Sequence, residues 1–176
     1  MSLKPITAFA AAVLLSAGFV SAPASAQDLS AYLSERGYFP IPLQKLSTGH
    51  ETVQLVINGI EGRFILDSGA GGTVVHTGNL SKFSLEMPED GGEVSSGAGG
   101  QFTWYRLPIE SLEIGGRSLE VNEIRTLDLA PVVSRLQEAA GVDVDGVVGQ
   151  DILTRFKGVL DVGTQTLFLH AGASNP

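Results

Sequence analysis

Phe64-Ile65-Leu66-Asp67-Ser68-Gly69-Ala70 is the stretch on which the reading of this chain turns. An apolar run ends in an acid, followed at once by a hydroxyl residue and a glycine. A carboxylate beside buried surface carries a desolvation cost, so its placement there is unusual. The glycine behind it lets backbone N–H groups approach the carboxylate. The Ser68 hydroxyl can bond nearby backbone and fix the turn. These residues describe a carboxylate held at the end of a buried strand. Taken alone, Asp-Ser-Gly reads equally as an Asx-turn joining two strands.

Outward from this stretch the pattern has mostly period two. Val53, Leu55 and Ile57 alternate with Thr52, Gln54 and Val56, and Asn58-Gly59 follows as a hairpin turn signal, so Arg63–Leu66 returns as a second strand. Thr73-Val74-Val75 is a third β-type run. Residues 77–90 are mixed and read as loop with a short turn of helix. Glu93–Leu107 reads as a hairpin whose middle, Ser96-Gly97-Ala98-Gly99-Gly100, has almost no side chain. Ser111–Ile114, a Gly115-Gly116 turn and Arg117–Val121 make another.

A helix is expected over Leu129–Ala140, with Asp128 as cap, Pro131 in the first turn and Gly141 as the stop. Gly146-Val147-Val148-Gly149 then leads into a short helix from about Gln150 to Phe156. Strands at Gly158–Asp161 and Thr166–Leu169 close the chain. On the N-terminal side, Phe39–Leu43 carries two prolines and reads as an edge strand. A short helix over Asp28–Arg36, stopped at Gly37, precedes it. No repeat and no linker interrupts 40–176, which is expected to form one mostly-β domain.

The first 26 residues stand apart. Lys4, an apolar run from Ala8 to Val20, and Ala24-Ser25-Ala26 ahead of Gln27 have the layout of a cleavable export signal. The apolar run is short of the ~20 residues that a spanning helix needs. The chain has no cysteine, which excludes a lipid-anchored lipoprotein and any disulfide framework, so the fold rests on its own core. Lys4 is the signal's one charge, so the mature chain carries −9 against −8 for the whole, with a pI near 4.7. That acidity argues against nucleic acid or an anionic membrane as the main partner.

Several chemistries find no support. No Gly-x-Ser-x-Gly nucleophile elbow occurs. His50, His76 and His170 are widely separated and show no metal-ligand spacing, and with no cysteine a zinc site has little basis. Gly69-Ala70-Gly71-Gly72-Thr73-Val74 begins like a dinucleotide loop, but Val74 stands where the third glycine belongs and a β-type run follows instead of a helix. Asn79-Leu80-Ser81 fits the glycosylation pattern, which is a common chance match.

Three motifs taken in order resemble the retropepsin-like aspartic proteases, over roughly Pro40 to His170. Ile65-Leu66-Asp67-Ser68-Gly69-Ala70 is similar to the family's active-site turn, and Thr73-Val74-Val75 to the strand after it. The hairpin centred on Ser96-Gly97-Ala98-Gly99-Gly100 sits where the family has a flap over substrate. Asp145-Gly146-Val147-Val148-Gly149-Gln150-Asp151-Ile152-Leu153 matches the two-apolar-then-glycine signature that leads into a short helix. The resemblance is greatest to the bacterial exported branch.

The resemblance implies an all-β fold: a small closed or partly closed β-barrel with a flap hairpin and one or two short helices. It implies an aspartic endopeptidase with no metal and no organic cofactor, whose partners are an extended peptide or protein substrate and a second copy of itself. Two carboxylates must share one proton in this chemistry, one as base on a water and the other polarising the carbonyl. The chain offers a single Asp-[Ser/Thr]-Gly, so the second carboxylate is expected to be Asp67 of a homodimer partner. Asp67 is then the catalytic residue, Ser68, Gly69 and Ala70 its turn, and Ser96, Gly97, Ala98, Gly99 and Gly100 the substrate-binding flap. Ser68 reads either as a hydroxyl bonding across the dimer axis or as a local turn bond, and the flap glycines also fit a flexible surface hairpin.

Asp145 is read as structural and Asp151 as a helix-start residue. Trp104 and Tyr105 either line the cleft or pack. Gly71-Gly72 departs from the family's pattern and is expected to loosen the strand behind Asp67. Residues 27–39 lie outside the resemblance and fit a dimer arm, a prosegment or a plain N-terminal helix. The alternative function is a catalytically silent domain that binds an extended peptide as an added strand. The expected compartment is the periplasm, with outright secretion as the other outcome and no membrane association once the signal is removed.

Overall fold

The Asn58-Gly59 signal makes the turn its residues suit: both adopt positive φ, +51° and +78°, as a two-residue hairpin loop demands. In the computed structural model, residues 29–97 and 100–172 are described. The export signal, the Asp28 cap, and Ala98 and Gly99 of the expected flap lie outside the described residues.

The strands, in chain order, are β1 (Tyr38–Pro42), β2 (Gln44–Lys45), β3 (Glu51–Ile57), β4 (Ile60–Leu66), β5 (Val74–His76), β6 (Glu93–Gly97), β7 (Gly100–Pro108), β8 (Leu112–Ile114), β9 (Arg117–Leu119), β10 (Glu123–Leu127), β11 (Gly146–Val148), β12 (Val159–Asp161) and β13 (Thr166–His170). The helices are α1 (Leu29–Ser34), α2 (Ala130–Ala140) and α3 (Gln150–Arg155), with a 3-10 helix over Thr77–Phe83. Among the described residues no helix is long and apolar enough to cross a membrane.

One large sheet runs β6-β7-β10-β5-β11-β4-β3-β8-β9, with β2 paired to β3. A second sheet of three strands runs β1-β13-β12. The sheets form a partly closed barrel. Proline-containing β1 is indeed an edge strand, antiparallel to β13.

At the centre of the large sheet β4, β11 and β5 lie side by side, with β11 parallel to β4 and antiparallel to β5. Alternate residues point into two cores. Phe64, Val75 and Val148 enter the main core, whereas Ile65, Val74 and Val147 pack with Leu46, Leu136 and Val144 beneath α2. Burial on both faces explains why these strands are continuous apolar runs rather than alternating ones. Gly146 is required in this ladder, since a Cβ there would enter the Val74 carbonyl.

Two strands lie outside the sequence reading, the two-residue β2 and the longer β10. β10 inserts between β7 and β5, parallel to the latter. Its Ile124 and Thr126 are buried and its Glu123 exposed, an alternation of strand type. Thr126, just ahead of the expected helix, is therefore a strand residue. Its hydroxyl donates to the Val75 carbonyl at 2.9 Å. The helix begins at Ala130, whose N–H donates to Asp128 Oδ1 at 2.8 Å, and ends at Gly141 with φ +64°.

Candidate active site

β4 delivers Asp67 to the end of the doubly buried ladder. The Asp67 N–H extends that ladder by donating to the Val148 carbonyl at 3.0 Å. The chain then folds back tightly. Ala70 N–H donates to the Asp67 carbonyl at 3.1 Å, and Gly69 N–H to Asp67 Oδ1 at 2.8 Å. The carboxylate at the strand end is thus oriented by a backbone amide, as the glycine behind it suggests. In the single chain it is exposed.

The segment after β11 clamps this turn from the other side. Gln150 donates its N–H to the Ala70 carbonyl at 2.8 Å and its Nε2 to the Ser68 carbonyl at 2.6 Å. Gly149 lies so close that a Cβ would stand 2.5 Å from the Gly72 oxygen and 2.8 Å from that of Ala70. The glycine that ends the Val147-Val148 pair is therefore a condition of the Asp67 turn's shape. Asp151 accepts the Thr73 N–H at 2.8 Å and the Thr73 hydroxyl at 2.7 Å. It stands in the first turn of α3, as read from sequence, but its carboxylate also ties the strand leaving the Asp67 turn. No local signal marks that second role.

Asp145 is buried and accepts from the Arg63 N–H, Asn79 Nδ2 and Lys82 Nζ at 2.9, 2.9 and 2.7 Å. It braces β4 against the 3-10 helix. Asn79, of the glycosylation-like triplet, is engaged in this bracing.

A cleft of about 740 Å³ opens between the Asp67 turn and the β6–β7 hairpin, walled by Leu129 and Val132 at the start of α2. Asp67, Gly69, Ala70, Gly71 and Gly72 line one side, and Ser95, Gly97, Phe102 and Trp104 the other. Of the flap residues named from sequence, Gly97 lines the cleft. Ser96 pairs with Gln101 and Gly100 with Gly97 on the same hairpin. Trp104 lines the cleft and donates its indole N–H to Ser95 Oγ at 3.0 Å, tying the hairpin's two strands. Tyr105 lies outside the lining. Ser68 faces a different groove, of about 410 Å³, shared with Leu66, Gln150, Leu153 and Leu160.

Among the cleft residues that the sequence reading missed, the charged one is Arg125. Its Nη1 donates to the Gly71 carbonyl at 3.2 Å, and its guanidinium lies 4.8 Å from the Trp104 ring centre. Gly72 is bare because that guanidinium fills the space a Cβ would take. Gly71-Gly72 therefore does not loosen the strand behind Asp67. It creates a seat for Arg125, and Thr73 behind it is held by Asp151. Against the same indole lies Arg106, held firmly protonated by the hydrogen bonds it donates first to Glu123 and then to Glu93. Among the described residues no three His, Cys, Asp or Glu side chains gather as a metal site.

A family model described as aspartyl protease matches residues 53–152, more than half of the chain, from β3 through the start of α3. The chain belongs to the aspartyl protease family. The order of Asp67 turn, glycine-rich hairpin and Val147-Val148-Gly149 is the one that resembles the retropepsin-like group. Among solved structures, a retropepsin-like aspartic protease from Rickettsia conorii shares the fold, with a TM-score of 0.53 at 17% identity over 76% of this chain and 98% of that one. The EIAV protease complexed with the inhibitor HBY-793 gives 0.47 at 20% identity over 64% and 93%. The retroviral protease-like domain of Ddi1 from Leishmania major gives 0.48 at 16% identity over 69% and 89%. No curated protein matches the chain.

Proposed function

We propose that this member of the aspartyl protease family is an exported endopeptidase that works as a homodimer, cleaving extended peptides with water held between Asp67 of each subunit. One observation carries the reading: among the described residues lining the cleft beneath the hairpin, Asp67 is the only acid. Water addition to a peptide bond needs a base and a proton donor together. Two carboxylates about 3 Å apart supply both, because they cannot ionise together and so share one proton. A cleft with one acid needs the second from another copy, related by a two-fold axis.

The surface beside Asp67 suits such a partner. Ser68 faces a groove with Leu153 and Leu160, and Leu160 is 42% exposed on β12, an edge of the small sheet. An unpaired strand edge with an exposed apolar residue is a ready pairing surface. Substrate would lie extended between the turn and the hairpin, its alternate side chains on opposite sides. Residues 1–26 would direct export to the periplasm.

The test is peptide cleavage by residues 27–176, beside Asp67→Asn, across a protein-concentration series. Cleavage by wild type, none by the variant, and a specific activity that falls on dilution are the expected results. Equal inertness of both proteins as confirmed dimers, tested on broad peptide libraries, would move the peptide-binding alternative ahead.

A further inference from the structure

Arg125 is a half-buried cation in the cleft of an otherwise acidic chain. It shares the Trp104 indole with Arg106, and the contrast between the two is informative. Arg106 forms ion pairs with Glu93 and Glu123, at 3.3 and 2.8 Å. Arg125 has no carboxylate partner among the described residues. One of its N–H groups goes to the Gly71 carbonyl, and the others face no protein acceptor among those residues. A guanidinium presents five donors in a planar fork that matches a carboxylate two at a time. Here the fork is held by the indole face on one side and by bare Gly72 on the other, so little side-chain freedom remains to be lost on binding.

We propose that Arg125 is a specificity-determining residue that binds a carboxylate of the substrate close to the bond cleaved at Asp67. The proposal deepens the endopeptidase reading and rests on it for the identity of the substrate as an extended peptide. Gly72 is five positions beyond Asp67 on the same turn, and both line one cleft. The carboxylate is either an Asp or Glu side chain or a chain terminus, the same chemistry from two sources. Val132 and Phe102 line the same cleft, and a bound peptide that covers them would lower the local dielectric and strengthen the pair. A site built to pair a charge rejects the uncharged isostere, because its own polar group is then left without a partner.

The test uses matched peptides: Glu against Gln at each position around the cut, and free acid against amide at the C-terminus. Trp104 is the chain's single tryptophan, so its fluorescence reports binding at Arg125 without turnover. Binding is titrated on Asp67→Asn and cleavage is followed on wild type. The expected result is about a tenfold or greater preference for one acidic position, with that ratio falling toward one in Arg125→Gln and standing between in Arg125→Lys. The position at which the preference falls separates side chain from terminus.

A structural loss from freeing Gly71 lowers acid and neutral peptides together and leaves the ratio intact, so that outcome overturns the proposal. Equal use of acid and neutral peptides by wild type also overturns it, while leaving the endopeptidase reading standing. Carboxylate-selective binding at Trp104 without cleavage by wild type upholds Arg125 and sinks the endopeptidase reading. Absence of binding to every peptide sinks both.

Discussion

Asp151 holds Thr73 from 78 residues away, accepting its amide at 2.8 Å and its hydroxyl at 2.7 Å, while the same hydroxyl accepts the Gly149 N–H at 3.1 Å. One threonine therefore joins the end of the Asp67 turn, the glycine beside it and the first turn of α3. The catalytic candidate is exposed, but Thr73 and Gly149, which join its turn to α3, are buried.

Thr73→Val keeps the shape and removes the hydroxyl. The buried Gly149 N–H loses its acceptor and Asp151 loses a donor, a cost of about 1–3 kcal/mol for the orphaned group. Chemical denaturation should show a lower midpoint at unchanged slope. An unchanged midpoint would mean that this junction does not hold the turn.

Gly149→Ala places a Cβ against the Gly72 and Ala70 oxygens, which are backbone and cannot rotate away. Overpacking of this kind costs about 1–3 kcal/mol, and the displaced atoms belong to the Asp67 turn. Cleavage should drop by more than stability alone explains, measured at a temperature where the variant is fully folded. Gly116→Ala has open space at the added carbon but sits at φ +72°, so it should cost stability and leave cleavage intact.

Asp145→Ala strips the partner from the Arg63 N–H, Asn79 and Lys82 at once. Breaking a buried pair typically costs about 3–5 kcal/mol. The Lys82 side chain is 43% exposed and can turn to water, so we expect the lower end of that range. Thermal unfolding of Asp145→Ala beside Lys82→Met would check it. A milder loss in Asp145→Ala than in Lys82→Met would show that the backbone bond to β4 contributes little.

Asp161 caps the turn between β12 and β13, and hydrogen bonds from Thr164 and then Gly163 hold its carboxyl below the ordinary carboxylate value. A lowered value in the folded state means its contribution is complete above the unfolded value of ~3.9. It is lost as pH falls through the lower folded one. The turn should hold through mild acid and loosen only below about pH 4. Asp161→Asn should therefore melt slightly lower than wild type at neutral pH and converge with it in acid, which flattens the acid limb of the profile. The group is half-exposed and lies in a surface turn, so the effect should be small.

Much of this molecule is written locally. Asn58-Gly59 sets the β3–β4 hairpin because those two residues tolerate positive φ, and Gly141 ends α2 for the same reason. The Asp67-Ser68-Gly69 turn is legible because an acid at the end of an apolar run is costly to place and needs donors close at hand. β10 carried its own signal, the alternation of Ile124 and Thr126 with exposed Glu123. That signal is only five residues long and lies between a hairpin and a strong helix, too short to stand out from a connecting loop.

By itself the sequence determined the turn, the hairpins, α2 and the order of three motifs, all of which depend on φ preferences and side-chain period within a few residues. Only the tertiary structure decided that β11 lies beside β4, that Asp151 reaches Thr73, and that Arg125 seats on Gly72 against Trp104. Those contacts join residues tens of positions apart, and nothing in either partner's own neighbourhood specifies the other. The physical reason lies in the sheet: once β11 slots between β4 and β5, backbone packing at Gly146 and Gly149 brings distant side chains within hydrogen-bonding reach.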